Sequence, residues 1–148
     1  MALSLQKFRE MVFQLVFSSD FSCLDEEEEK IEFMMKQLLV TKKSVREALE
    51  KERKVWSQKE KIDELIKASS HAYDFERISP VEKSILRLAV YELCCEESTP
   101  PKVVLSEAIR LTRKFATAES AGFVNAVLDA IYQAQIQDEC STSALLHS

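Results

Sequence analysis

Glycine is almost missing from this sequence. Among 148 residues there is one, Gly122, beside three prolines. An all-β domain needs turn residues between its strands and a dinucleotide-binding fold needs a glycine-rich phosphate loop, so both are excluded at the outset. Long apolar runs are also missing: nothing approaches the ~20 residues of a membrane span. The N-terminal stretch LSLQKFREMVFQLVF is interrupted by Lys7, Arg9 and Glu10 and lacks the unbroken core of a signal peptide. A soluble, cytoplasmic protein is expected. Metal-ligand spacing is lacking too. Cys23, Cys94, Cys95 and Cys140 form no CxxC, and His71 and His147 are isolated, so free thiols are expected rather than a zinc site or a disulfide framework. With no nucleophile–base pairing and no phosphate loop, neither catalysis nor a cofactor is indicated. Net positive charge is absent as well. At −5, the bulk field does not attract nucleic acid, and any RNA binding must come from a local patch.

What is present is helix-forming. Leu, Ala, Glu, Lys, Arg, Met and Gln dominate, and an all-α fold follows. Residues 4–19 predict a first helix, with Leu5, Phe8, Val12, Leu15 and Val16 on one stripe. Phe13 and Phe17 form an i,i+4 pair off that stripe. Either the helix is buried on two sides or the pair awaits a partner. Ser18-Ser19-Asp20 breaks the pattern. Asp25 to Glu29 is an acidic row suited to a helix N-terminus, with a cation site as the minor alternative. Ile31, Phe33, Met34, Leu38 and Leu39 carry a second apolar face. From Lys42 to Lys61 eight basic residues face four acids in a charged helical stretch with a break near Trp56-Ser57. It reads as a salt-bridged solvent face or as an RNA surface.

The C-terminal half is more specific. Ser79 caps a helix with Pro80 at its first position and Glu82 able to complete a capping box. Val81, Ile85, Leu88, Ala89 and Leu93 make its buried face. Residues 96–101 end that helix, Val103 to Phe115 forms the next, and Thr117 caps the last, which carries Phe123, Val124, Val127, Leu128 and Ile131. The tail from Gln137 is expected to fray.

SPVEKSILRLAVYEL, followed by PPKVVLSEAIRLTRKFATAESAGFVNAVLDAI, resembles the C-terminal half of the NusB family over about 55 residues, with the EAI, KF and FVN-x-VLD elements in order. KFREMVFQLVFSSDF is similar to the family's first helix. The resemblance implies a NusB-like bundle of two packed three-helix subdomains, about residues 1–70 and 75–137, with 138–148 a flexible tail. It implies a bacterial transcription antitermination factor that binds boxA-type RNA with the small-subunit ribosomal protein NusE, in a complex on RNA polymerase. It places the RNA surface at Lys7, Arg9, Arg113, Lys114, Ser120 and Phe123. The partner surface is implied at Phe17 and Glu82, supported by Arg87 and Tyr91.

These residue types suit RNA recognition. Cations hold phosphates, a helix N-terminus offers free N–H groups, and an aromatic stacks on an unpaired base. Phe123 also reads as a core aromatic, Gly122 as a close-packing residue or as room for RNA, and Glu82 as a cap. One departure matters: family members often begin with a run of arginines, whereas MALSLQKFRE keeps two cations. A protein–protein scaffold with little RNA binding is therefore the alternative. The fold also occurs joined to an RNA cytosine methyltransferase domain, but no second domain or glycine-rich cofactor loop is expected here.

Overall fold

The computed structural model describes residues 3–21, 27–70, 74–96 and 98–147, with the backbone alone for residue 21 and for 137–147. Cys23, Asp25, Glu26 and His71, and the side chains of Cys140 and His147, lie outside the described residues. Among those described are seven α-helices, one short 3-10 turn and no strand. None of the helices is long and apolar enough to cross a membrane. The chain divides into two compact units, Met1–Lys59 and Glu60–Ser148.

The first unit holds α1 (Leu5–Phe21), α2 (Glu27–Leu38) and α3 (Lys42–Ser57), with α3 packed against both others. Met11, Val12, Phe13, Leu15 and Val16 are all buried, so α1 hides an arc wider than one stripe and takes Phe13 into the core. Leu5, by contrast, is 79% exposed. The serines expected to break α1 are accommodated within it: Ser18 Oγ donates back to the Leu15 carbonyl, and Ser19 Oγ donates across to the buried Glu52 of α3. On α2 only part of the expected apolar face is inside. Ile31 and Met34 are buried, whereas Phe33, about 200° around the helix from Ile31, is 61% exposed. Leu39 sits past the helix end in the left-handed region (φ 53°) and is 88% exposed. Helices usually place glycine there, and this chain has none to spare. Of the acidic row, Glu27, Glu28 and Glu29 are exposed in the first turn of α2, where Glu27 meets Arg53 at 2.9 Å and Glu28 meets Lys42 at 3.8 Å.

The second unit holds α4 (Lys59–Ser69), the 3-10 turn Phe75–Arg77, α5 (Pro80–Cys94), α6 (Pro101–Phe115) and α7 (Ala118–His147). The helix break expected near Trp56-Ser57 falls at Gln58, between α3 and α4. α6 starts two residues before the sequence pattern places it, because Pro101 can occupy the first helical position. α7 runs on through the stretch set apart as a tail, where no Gly or Pro interrupts it. α5, α6 and α7 pack on one another. α5 is buried continuously from Ser84 to Glu92, far beyond the single face that its pattern marks. It carries two charges inside, Arg87 and Glu92. Arg87 is 4% exposed and grips Asp63 of α4 in a fork, Nε to Oδ1 at 3.0 Å and Nη2 to Oδ2 at 3.2 Å.

A buried charge is tolerated only while paired. Asp63→Ala strands the guanidinium and should cost about 3–5 kcal/mol of unfolding free energy in urea denaturation. A loss within the ~1 kcal/mol typical of exposed ion pairs would show that Arg87 finds water or another acceptor instead.

Candidate functional site

In the second unit the N-terminus of α7 borders a cleft of about 260 Å³ lined by Arg77, Ile78, Glu82, Ser120 and Phe123 with Thr117 and Glu119. Thr117 caps α7: its Oγ1 accepts from the Ser120 amide at 3.0 Å and donates to Ser120 Oγ at 3.0 Å. Phe123 is half-buried on this cleft, neither sealed in the core nor fully exposed. Glu82 is half-buried and accepts from Ser79 Oγ at 2.7 Å, while its amide donates to the same hydroxyl at 3.2 Å. Cap and cleft wall are therefore the same residue. Arg113 and Lys114 are exposed in the last turn of α6, four and three residues before Thr117, where cations also suit the helix dipole. Arg113, Lys114, Ser120 and Phe123 thus cluster around one helix junction. The cleft wall itself carries two carboxylates, Glu82 and Glu119, beside one guanidinium, Arg77. Such a cleft repels phosphates and suits an uncharged group with hydrogen-bonding edges.

In the first unit Lys7 is exposed but Arg9 is 8% exposed. Of the two N-terminal cations, only Lys7 faces solvent. Phe17 is half-exposed and stacks obliquely on Phe13, ring centroids 6.3 Å apart. It also lines a mainly apolar groove of about 510 Å³ between α1 and α2, with Leu15, Phe33 and Met34. Phe33 is part of this groove although its place in the sequence suggests the core. Two short hydrophobic runs on neighbouring helices give no signal that a groove lies between them.

Two residues of the expected partner face are buried. Arg87 is buried against Asp63, and Tyr91 is 8% exposed. Their helix is covered on nearly every side, which a single-face reading of α5 does not reveal. Burial, then the charge of Glu96 and the neighbouring Cys95, push the Tyr91 hydroxyl above its ordinary pKa. Burial also pushes the Cys94 thiol up to about 11, so it stays protonated at neutral pH. Cys94 and the exposed Cys95 are free thiols. Among the described residues no cluster of three or more His, Cys, Asp or Glu is placed to hold a metal ion.

A family model described as the NusB family matches residues 6–133. The transcription antitermination protein NusB of Pseudothermotoga lettingae is 33% identical over 136 residues, covering 90% of this chain and 94% of that protein. The corresponding protein of Syntrophus aciditrophicus is 46% identical over 77 residues, 52% of this chain and 48% of its own length; there the chain spans about half of the curated relative it matches. Among solved structures, T. maritima NusB superposes with a TM-score of 0.75 at 32% identity, covering 90% of this chain and 93% of that one. A structure of the antitermination factors NusB and NusE in complex with dsRNA gives 0.74 at 27% identity, covering 87% and 96%.

Gly122 lies on the exposed side of α7 with no left-handed backbone, and a Cβ added there meets no atom within 4 Å. Close helix packing therefore does not require it. Gly122→Ala should raise stability by about 0.5–1 kcal/mol, the ordinary gain for alanine over glycine inside a helix, in chemical or thermal denaturation. A destabilised variant would reveal a contact at this position.

Proposed function

This chain belongs to the NusB family, and we propose that it is a transcription antitermination factor binding boxA-type RNA together with the small-subunit ribosomal protein NusE on RNA polymerase, in ribosomal RNA synthesis as well. The role is recognition, not catalysis, and it belongs in the bacterial cytoplasm, where nascent RNA is made. The observation that carries it is the α7 junction: a half-exposed Phe123 beside a capped helix N-terminus, with Arg113 and Lys114 exposed just before it. Phe123 stacks on an unpaired base, Ser120 meets the backbone or a base edge, and the two cations hold phosphates. Lys7 adds a further phosphate contact. Arg9, the second N-terminal cation, is buried. For the ribosomal partner, the α1–α2 groove with Phe17 offers an apolar seat and the partly exposed Glu82 an acidic contact. The solved NusB–NusE complex with dsRNA supports the pairing of these two ligands in one assembly.

A second reading, a scaffold with little RNA binding of its own, is favoured by one observation: burial of Arg9 leaves Lys7 alone in place of the family's basic start. Each phosphate of single-stranded RNA left without a cation lowers the salt slope by about 0.7. The two readings separate in titrations at fixed salt with boxA RNA alone, NusE alone and both together. The expected result is weak binding of RNA alone and a marked gain with NusE, matched by an equal gain of NusE affinity with RNA present, as linkage demands. Phe123→Ala should weaken RNA binding by about 1–3 kcal/mol without unfolding the protein. Glu82→Lys should weaken NusE binding more than it weakens folding, since losing a cap costs about 0.5–2 kcal/mol. RNA affinity unchanged by Phe123→Ala removes the stacking role, and absence of RNA binding even with NusE leaves the scaffold.

A further inference from the structure

The first unit has another cleft, of about 490 Å³, where the start of α1 meets the start of α3. Its apolar wall is Leu3, Leu5 and Phe8, and its polar wall is Lys43, Ser44 and Glu47. Leu5 is 79% exposed, one of few large apolar side chains left in water. Burying such a residue against a ligand is favourable in proportion to the area covered.

The charges of α3 are distributed unevenly. Lys42, Arg53 and Lys54 are held by Glu28, Glu27 and Glu50. Lys43 and Arg46 have no acidic partner among the described residues and are both exposed. They sit three residues apart, on one face of α3 with Glu47. Acid–base pairing therefore cancels Lys42, Arg53 and Lys54 and leaves Lys43 on the cleft wall with Arg46 one turn beyond it. Lys7, also exposed, immediately precedes Phe8.

We propose that this cleft takes a nucleotide of single-stranded RNA lying outside the boxA core. Its base lies against Phe8 and Leu5, and its neighbouring phosphates meet Lys43 and Arg46. Phosphate is the charge that two cations without an acid among the described residues complement. Glu47 rules out a phosphate in the cleft itself and favours a base that presents an amino group, since a carboxylate accepts such a hydrogen bond. The contact would replace the cations missing from the start of α1. This inference rests on the RNA reading above and extends its footprint.

The test compares boxA RNA of core length with the same RNA extended by several nucleotides on either side, each with NusE present. The proteins are wild type, Lys43→Ala/Arg46→Ala, and Leu5→Glu; all three altered side chains are exposed, so the fold is not at stake. Extension should tighten wild-type binding at least about fivefold, the lower end for one stacked base. Most of that gain should vanish in both variants while core RNA binds them as before. The double variant should also lose about 1.4 from the salt slope on the extended RNA, two single-strand phosphate contacts. No gain on extension in wild type, or an equal gain in both variants, overturns the proposal. If core RNA fails to bind even wild type, the RNA reading itself fails and takes this one with it. Variants that lose NusE affinity in the absence of RNA make the cleft a protein-docking surface, which also overturns it.

Discussion

A helix buried on nearly every side must answer for any charge it takes inside, and α5 buries two, Arg87 and Glu92. From Ser84 to Glu92 it has no solvent face, so the guanidinium of Arg87 cannot reach water as a surface arginine does. The fork to Asp63 is what makes that position tolerable. Replacing such a pair by apolar side chains is often neutral or stabilising. Its value lies in direction: the two-pronged fork to Asp63 allows one geometry, which ties α4 to α5, and the same guanidinium lies over the Phe75 ring, 5.9 Å from its centroid. Ser84 follows the same rule at smaller scale, donating to the Pro80 carbonyl at 2.9 Å within its own helix.

Fixing α5 fixes its N-terminus, and that end is where the second unit gathers its polar chemistry. Ser79 and Glu82 cap it, and Glu82 forms one wall of the cleft on α7. The opposite wall starts from another cap, Thr117 on Ser120, one turn before Phe123. Two helix starts held by hydroxyls thus face one small opening. Caps are local and rigid, so the half-exposed aromatic between them needs no rearrangement to receive a flat ligand. This is the pre-organisation that reduces the entropic cost of binding.

The parts of the fold legible in the sequence were those encoded locally. Ser79-Pro80 and Thr117 mark helix starts through hydroxyls and a missing N–H, and both caps form. The break near Trp56-Ser57 follows from thinning apolar support. What escaped was set by long-range packing. Arg87 and Tyr91 belong, in sequence, to an amphipathic helix; only the neighbours that cover α5 make them core. Arg9 resembles any N-terminal cation until α1 is seen to bury an arc that includes it. Phe33 and Leu39 read as core because they are apolar, yet helical geometry turns Phe33 outward and the helix end at Leu39 leaves it in solvent. Of the site, the α7 junction was readable because cap, cations and aromatic lie within a dozen residues. The two clefts of the first unit were not, since each joins segments separated by an intervening loop or helix.

On the proposed role, an acidic protein must keep its few useful cations from being neutralised by its own carboxylates. The first unit shows how that is arranged. Glu27, Glu28 and Glu50 engage Arg53, Lys42 and Lys54, exposed pairs that contribute little to stability. Their effect is on the field: they cancel three of the six cations of α3, while Lys43 and Arg46 near its start meet no acid among the described residues. In the second unit Arg110 is likewise tied to Glu107 at 2.8 Å, while Arg113, one turn later, is exposed. On the proposed role, specificity of this kind favours short, defined RNA segments over any polyanion, because a net charge of −5 repels RNA wherever those spared cations are not. Affinity must then come from stacking and from a second protein rather than from bulk attraction. On that reading, dependence on a partner follows from the charge distribution itself.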